Sequence, residues 1–587
     1  MEVKEDHMLS PAGDSEPILR IAHFLKPISN TIEEPPSGFN PSSLFDPEEW
    51  PLKINFIGWP RPVTEKWVYW VDQLKPKFEY VWKKVGIFEA IMSTKCCIKK
   101  DHNLLFGVVE KWCCETNTFV FPFGEATITL EDVMVLGGYP ILGDPVFITL
   151  QDQEMKEVEK ELILERQQLY KTKSANARTR VWMDVFIDKG NELEHEAFLA
   201  TWLSIFVHPY KSRVVNSSFF RVAIHLARGN PIALAPAVLA SLYKDLGLLK
   251  NILVNLSKLP VGGDRLPMEA ILQSPFYLVQ VWVWERFKNL QPQPMLINYE
   301  DPFLFRWHNA ESENLNVDNV RLELNSAKNH FLWRPYVRFA EKCELFYPND
   351  GTWVFKTDLD DTMLSFVRCM RVSELVGIDF VVQYLPHRVA LQFGMDQDIP
   401  SYVPRFNETE SVAWENYNRP ISDEHVYFPS RLFEADVTTR YAEWWKKFVP
   451  NCNNFVKKTV QQKRSASPWK HRPCEGNAKE SGNDDGESCR YALRNRVSSS
   501  NNATVAQHNL QFHSDMAAGA KQTLIERKES DDDVLVFLKE KYLKNQEELT
   551  RLAREQEHLE RQQEEVLQLI NSREKREEVS SSSSLVF

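Results

Sequence analysis

The sequence predicts a mainly α-helical globular domain with a small β-hairpin, followed by a disordered linker and a C-terminal coiled-coil helix. Three observations predict it. Apolar residues recur at helical spacing through much of the first 450 residues. Between about 451 and 531 the composition collapses to Ser, Asn, Lys, Gly and Asp, which cannot bury a core. Residues 532–578 then carry a heptad pattern. The expected divisions are a flexible N-terminal arm at 1–45, the helical domain at 46–450, the linker at 451–531, the coiled coil at 532–578 and a disordered tail at 579–587.

Taken in order, the first 45 residues are polar and Pro/Ser-rich, which predicts a loose arm. Lys75 to Met92 places Phe78, Val81, Trp82, Val85 and Phe88 at helical spacing. Asp101 suits the N-cap of a second helix, with Leu104, Leu105, Val108, Val109 and Trp112 on one face.

Thr118 to Val146 is the most sharply punctuated stretch. Phe119 and Phe121 alternate as in a half-buried strand, Pro122–Gly124 is a turn, and Ala126–Ile128 reads as a second strand. Thr129 and Asp132 have capping-box spacing, and Gly137-Gly138 ends the helix.

Glu154 to Gln168 is densely charged and predicts an exposed helix, followed by the basic loop Lys171–Arg180. Residues 196–290 are strongly helical. Pro236 suits a first turn, Gly247 a stop, and Ser274 to Phe287 is apolar on nearly all sides, as in a central helix. Residues 291–430 predict shorter helices, loops and a few strands. Val437 to Val449 predicts a closing helix that docks Tyr441, Trp444, Trp445 and Phe448.

In the tail, Leu538, Asn545, Leu552, Leu559 and Val566 fall at d, and Tyr542, Leu549, Gln556, Gln563 and Ile570 at a. The three polar positions weaken the seam but can fix register and oligomeric state; a single solvated helix is the alternative. Lys457-Lys458, Lys463-Arg464 and Lys470–Arg472 form a basic cluster that suits nuclear import.

Composition narrows the chemistry. A net charge of −12 argues against sequence-independent nucleic-acid affinity over the whole surface. Nine scattered cysteines suit a reducing compartment. The adjacent pairs Cys96-Cys97 and Cys113-Cys114 lack the two-to-four-residue spacing of zinc ligands, so no metal is expected. The N-terminus has no apolar signal core and no apolar run is long enough to span a bilayer, which predicts a soluble intracellular chain without a membrane partner.

Asp358-Leu359-Asp360-Asp361-Thr362 fits a D-x-D-x-T phosphotransferase pattern, with Asp358 as nucleophile and Asp360 as acid/base. It lacks the buried hydrophobic strand such a motif follows, and an acidic loop is the competing reading. His208, His225 and His387 lie beside apolar segments and read as structural residues.

A set of segments in fixed order carries a resemblance. These are Val81–Phe88, Glu110–Gly138, Glu194–Leu199, Ile232–Leu246, Val281-Trp282-Val283-Trp284-Glu285-Arg286-Phe287, Trp333-Arg334-Pro335-Tyr336, Tyr384–Gln397 and Tyr441–Trp445. Over about residues 20–450 the chain resembles the plant mobile domain family, the MAIN-like (maintenance-of-meristems-like) proteins. Their names often include "aminotransferase-like", yet the sequence offers no lysine context or glycine loop for pyridoxal phosphate.

The resemblance implies a nuclear, non-enzymatic interaction protein in meristem maintenance, gene regulation and transposon silencing. It implies protein partners, among them a type-7-like serine/threonine phosphatase, and a place at chromatin; the heptads imply self-association through 532–578. The alternatives are a DNA-binding remnant of transposition machinery, gripping phosphates with 171–180 and 457–472, and the Asp358/Asp360 phosphotransferase. No catalytic, cofactor-binding or metal-binding residue is assigned.

Overall fold

The computed structural model describes residues 1–447, apart from breaks at 13–14, 32–51, 60–63, 172–177, 210–213, 258–267, 313–314, 341, 343–345, 406–408 and 423. The linker, the basic cluster at 457–472 and the heptad region lie outside the described residues, as does most of the basic loop at 171–180.

Helices dominate, and small sheets fasten their ends. The first helix, Glu65–Lys84, buries Trp67, Trp70, Val71, Leu74 and Trp82 along one stripe. It begins ten residues before the expected start. Gly86 then takes the left-handed conformation (φ 73°), so the chain turns before a separate short helix, Phe88–Ser93.

The helix His102–Val109 is capped as expected, with the Asp101 carboxylate accepting from Leu104 N at 3.0 Å. The hairpin that follows has a third strand. Trp112–Cys113 pairs with Thr118–Phe121, which pairs with Gly124–Ala126. Trp112, expected on the preceding helix, thus starts the sheet, and the last strand ends at Ala126 rather than Ile128. The next helix, Leu130–Gly137, stops at Gly138, where φ is 70°.

Two of the later helices, Leu234–Ser257 and Tyr277–Arg286, pack on the Leu130–Gly137 helix, and a third lies nearer the surface. Leu234–Ser257 runs straight through Gly247, where a stop was expected; Leu249, Leu253 and Leu256 are buried beyond it, and their packing carries the helix on. Tyr277–Arg286 is buried on every side, as its composition predicts. Gln153–Lys171 docks only Val158 and Leu162 fully and leaves its charged faces in solvent. Residues 291–430 form short helices and two antiparallel strand pairs, Thr352–Phe355 with His425–Phe428 and Ser373–Val376 with Val381–Tyr384.

The N-terminal arm is corrected. Glu2–Leu9 and Ile18–Phe24 form an antiparallel hairpin, and Met8 and Leu9 also pair with Thr438 and Val437. Composition misled here because only one face of the hairpin is buried, through Met8, Ala22 and Phe24. Its charges find partners far along the chain: Arg20 grips Asp396 and Asp436, and Lys4 reaches Asp398. The closing segment also begins differently. Val437–Thr438 is a strand, the helix covers 439–447, and Tyr441, Trp444 and Trp445 pack with Val120 and Leu391.

Candidate functional site, a sealed acid and arginine network

The most chemically dense place in the fold lies at the start of the Leu130–Gly137 helix. Thr129 Oγ1 accepts from Asp132 N (3.3 Å), and Asp132 Oδ2 accepts from Thr129 N (2.8 Å), which completes the capping box read from the sequence. The other carboxylate oxygen of Asp132 is spent elsewhere. It accepts from Arg286 Nη2 at 2.7 Å and from the Tyr336 hydroxyl at 2.6 Å. Both Asp132 and Arg286 side chains are 0% exposed. Arg286 also donates to the carbonyls of Leu332 and Trp333. One guanidinium thus ties the capped helix to the all-buried helix and to the Trp333–Tyr336 segment.

Similar pairs surround it. Arg388 grips Glu125 with two bonds, at 2.8 and 2.6 Å, and Thr118 donates to the same carboxylate. Gln392 accepts from Thr127 N and donates to Thr127 O, mimicking a strand partner. Arg321 pairs with Glu110. Glu131 accepts from the Tyr347 hydroxyl, and Arg334 lies over the Tyr347 ring at 5.0 Å. Arg334 fits there because residue 394 is glycine: a Cβ on it would stand 2.7 Å from the guanidinium carbon. Burial pushes the Glu131 carboxyl up to about 7, against the opposing pull of Tyr347 and the two arginines.

These polar residues are scattered over more than 250 residues, and all but Arg321 and Tyr347 stand in the segments that carry the resemblance. A plant mobile domain profile matches residues 86–446, more than half of the chain. The chain belongs to the plant mobile domain family. Over 395 residues it is 26% identical to the protein MAIN-LIKE 2 of Arabidopsis thaliana, covering 65% of this chain and 52% of that one. It is 26% identical over 339 residues to MAINTENANCE OF MERISTEMS of the same plant, covering 53% and 61%. A third relative, the Arabidopsis serine/threonine-protein phosphatase 7 long form homolog, is 25% identical over 329 residues; the match covers 52% of this chain and 22% of that protein. The chain therefore spans roughly half to three fifths of the first two relatives and much less of the third. No solved structure matches it.

Within this plant mobile domain, the network is sealed. Asp132, Arg286, Glu125, Arg388 and Glu131 are all buried, and each spends its polar atoms largely on its neighbours. Such pairs join the segments that carry them and are shut away from water. The sequence could flag Thr129 and Asp132 as a cap, because that signal is local. It could not flag Arg286 as the counterpart of Asp132, or Arg388 as that of Glu125; the sequence signal was that these four residues stand in family segments.

The other candidates fall apart spatially. Asp358 lies exposed in a one-turn 3₁₀ helix, and Asp360 is the N-cap of the helix Asp361–Cys369, where its carboxylate accepts from Met363 N at 2.8 Å. Its place in the pattern is thus accounted for by capping.

Burial lowers the proton affinity of His195, His208 and His387. His208 is pulled down to about 4 and His387 to about 3, where His387 bonds the Ser401 carbonyl at 3.0 Å. His195, unremarked in the sequence except within a family segment, is also pulled down to about 3; it accepts from Trp82 Nε1 and stacks on Phe78. His225 is buried beside Asn230. Cys96, Cys97, Cys113 and Cys114 are free thiols, and among the described residues no group of three His, Cys, Asp or Glu is placed to hold a metal ion. Among the described helices, none is long and apolar enough to cross a membrane.

Proposed function

We propose that this chain is a non-enzymatic, nuclear interaction protein of the MAIN-like type, acting in meristem maintenance, gene regulation and transposon silencing. One observation carries the reading: Asp132, Arg286, Glu125 and Arg388 of the family segments are paired with one another inside the fold, as in a scaffold. Similarity to MAIN-LIKE 2 and MAINTENANCE OF MERISTEMS supports the biological setting. The partner class includes a type-7-like serine/threonine phosphatase, a choice supported by the name of one relative. The heptads at 532–578 would bring in a second copy or a partner helix.

Proximity labelling with the full chain expressed in plant cells tests this reading. Enrichment of nuclear proteins, chromatin factors and a serine/threonine phosphatase is expected; a labelled set drawn from another compartment overturns it. Removing residues 530–578 should lower the oligomeric mass by light scattering or abolish capture of the strongest partner. Unchanged mass together with unchanged capture counts against the coiled-coil role.

A further inference from the structure

The N-terminal hairpin has an unfinished edge. Its second strand, Ile18–Phe24, pairs with Glu2–Leu9 on one side. The other side is taken only at its end, where Phe24 forms a parallel bridge with Asp396, whose N–H donates to the His23 carbonyl at 2.9 Å. The backbone groups of His23 therefore point away from Glu2–Leu9, and strand alternation turns those of Ile21 and Leu19 the same way. Arg20 Nη1 donates to the Ile21 carbonyl at 3.1 Å. No strand among the described residues pairs with the Ile21 N–H or with either backbone group of Leu19.

The side chains along this edge are also uncovered. Ile18, Leu19 and Ile21 are 63%, 54% and 62% exposed. Leu19 and Ile21 share a face with the exposed Val3, which stands opposite His23. His23 carries that face onward: its ring stacks on Tyr427 with centroids 3.8 Å apart and lies 5.6 Å from the exposed Trp353.

The bland reading is a strand that simply faces solvent. Such edges are ordinarily blunted by lysine, proline or a bulge. Ile18–Phe24 contains no lysine or proline, and its register with Glu2–Leu9 runs without a bulge. Its one arginine, Arg20, is turned onto Asp396 and Asp436. Charge selects the occupant. Glu5, cross-strand from Ile21, and Glu16, just before the strand, are exposed and have no ion pair among the described residues. A second copy of this chain brings the same acids to the edge, whereas a strand bearing lysine or arginine meets opposite charge.

We propose that the free edge of Ile18–Phe24 takes an added β-strand from a partner protein, an extended apolar segment that also carries lysine or arginine. Its main chain pairs with Leu19 and Ile21 where Asp396 leaves off, its apolar side chains cover Leu19 and Ile21, and its cations meet Glu5 and Glu16. Such strand capture depends neither on a nuclear setting nor on the heptads, so its failure leaves the function proposed above standing.

Fluorescence anisotropy of a dye-labelled, end-blocked peptide, Lys-Val-Thr-Val-Thr-Lys, titrated with the full chain tests the proposal. This probe carries one lysine on each face of a strand. Saturable binding is expected below about 1 mM, at least about fivefold weaker for the same peptide with Glu in place of Lys or with every amide N-methylated. Leu19→Pro removes an N–H that points off the edge and leaves the pairing with Glu2–Leu9 intact, so binding should be lost. Glu5→Lys changes an exposed side chain and should weaken binding at least about threefold; it decides the matter if circular dichroism shows that Leu19→Pro disturbs the fold. No saturable binding to the wild-type chain overturns the proposal. Equal binding of the N-methylated peptide overturns strand addition, and equal binding of the Glu peptide overturns the charge assignment. Unchanged binding in a folded Leu19→Pro variant overturns the choice of edge. A dimer in light scattering that Leu19→Pro abolishes, without peptide binding, overturns the partner in favour of a second copy.

Discussion

The same side chain does two opposite jobs in two parts of this molecule. In the network at Asp132, two arginines each meet a carboxylate shut away from water: Arg286 with Asp132, Arg388 with Glu125. At the ends of the helices Asp361–Cys369 and Glu410–Asn418, the arginines meet carbonyls and stand beside an open cavity. A buried carboxylate cancels the guanidinium charge and turns it into a specific clamp between segments. A carbonyl satisfies a hydrogen bond without bringing a full counter-charge. Counterpart and burial, rather than residue type, separate the two regions.

The largest effect should come from breaking the sealed pair. Arg286→Met leaves Asp132 and Tyr336 buried without their cation and should cost about 3–5 kcal/mol in denaturant unfolding. A loss under about 1 kcal/mol would show that the network is not what joins these segments.

Glu131 gives the next largest effect, and its sign is set by a raised pKa. Between about 4.5 and 7 the folded chain keeps a proton that the unfolded chain has released. That contribution is present below the unfolded value and is lost as pH rises through 7. Glu131→Gln keeps an acceptor for Tyr347 and cannot ionise. Relative to wild type it should gain on the order of 3 kcal/mol between pH 4.5 and 8, read from paired unfolding curves at each pH. A constant difference across that range would contradict the buried carboxyl.

At the second region the stability effects should shrink. Arg371→Met removes two carbonyl bonds on a partly buried side chain and should cost about 1 kcal/mol, far less than Arg286→Met. If the two variants were equally destabilised, the contrast between carboxylate-paired and carbonyl-paired arginines would fail. Lys26→Glu, at an exposed side chain, should change unfolding stability least, within about 0.5 kcal/mol.

Much of the fold was legible where the signal was local. The Asp101 cap, the Thr129–Asp132 capping box, the Gly137-Gly138 stop and the all-round apolar helix at 277–286 each need only neighbours within one or two turns, and the structure has them all. Misreadings occurred where distant contacts outweigh local preference. Gly247 resembles a stop, but the leucines beyond it are packed. The first residues look like a loose arm until Arg20 and Lys4 reach acids nearly 400 residues away.

The candidate site divides the same way: Asp132 was visible as part of a cap, whereas Glu110, Glu125 and the arginines were not. The cavity was not legible at all. Lys26, Arg371 and Arg419 share no spacing, and each lies at the end of a different element.

By itself, then, the sequence determined the helical class, the capped helix at its centre and membership of a family, because caps, periodicity and segment order are short-range or additive. Only the tertiary structure decided which acid meets which arginine and which arginines stand beside a cavity. Coulomb attraction and desolvation depend on separation and burial, and neither quantity exists until the chain has folded.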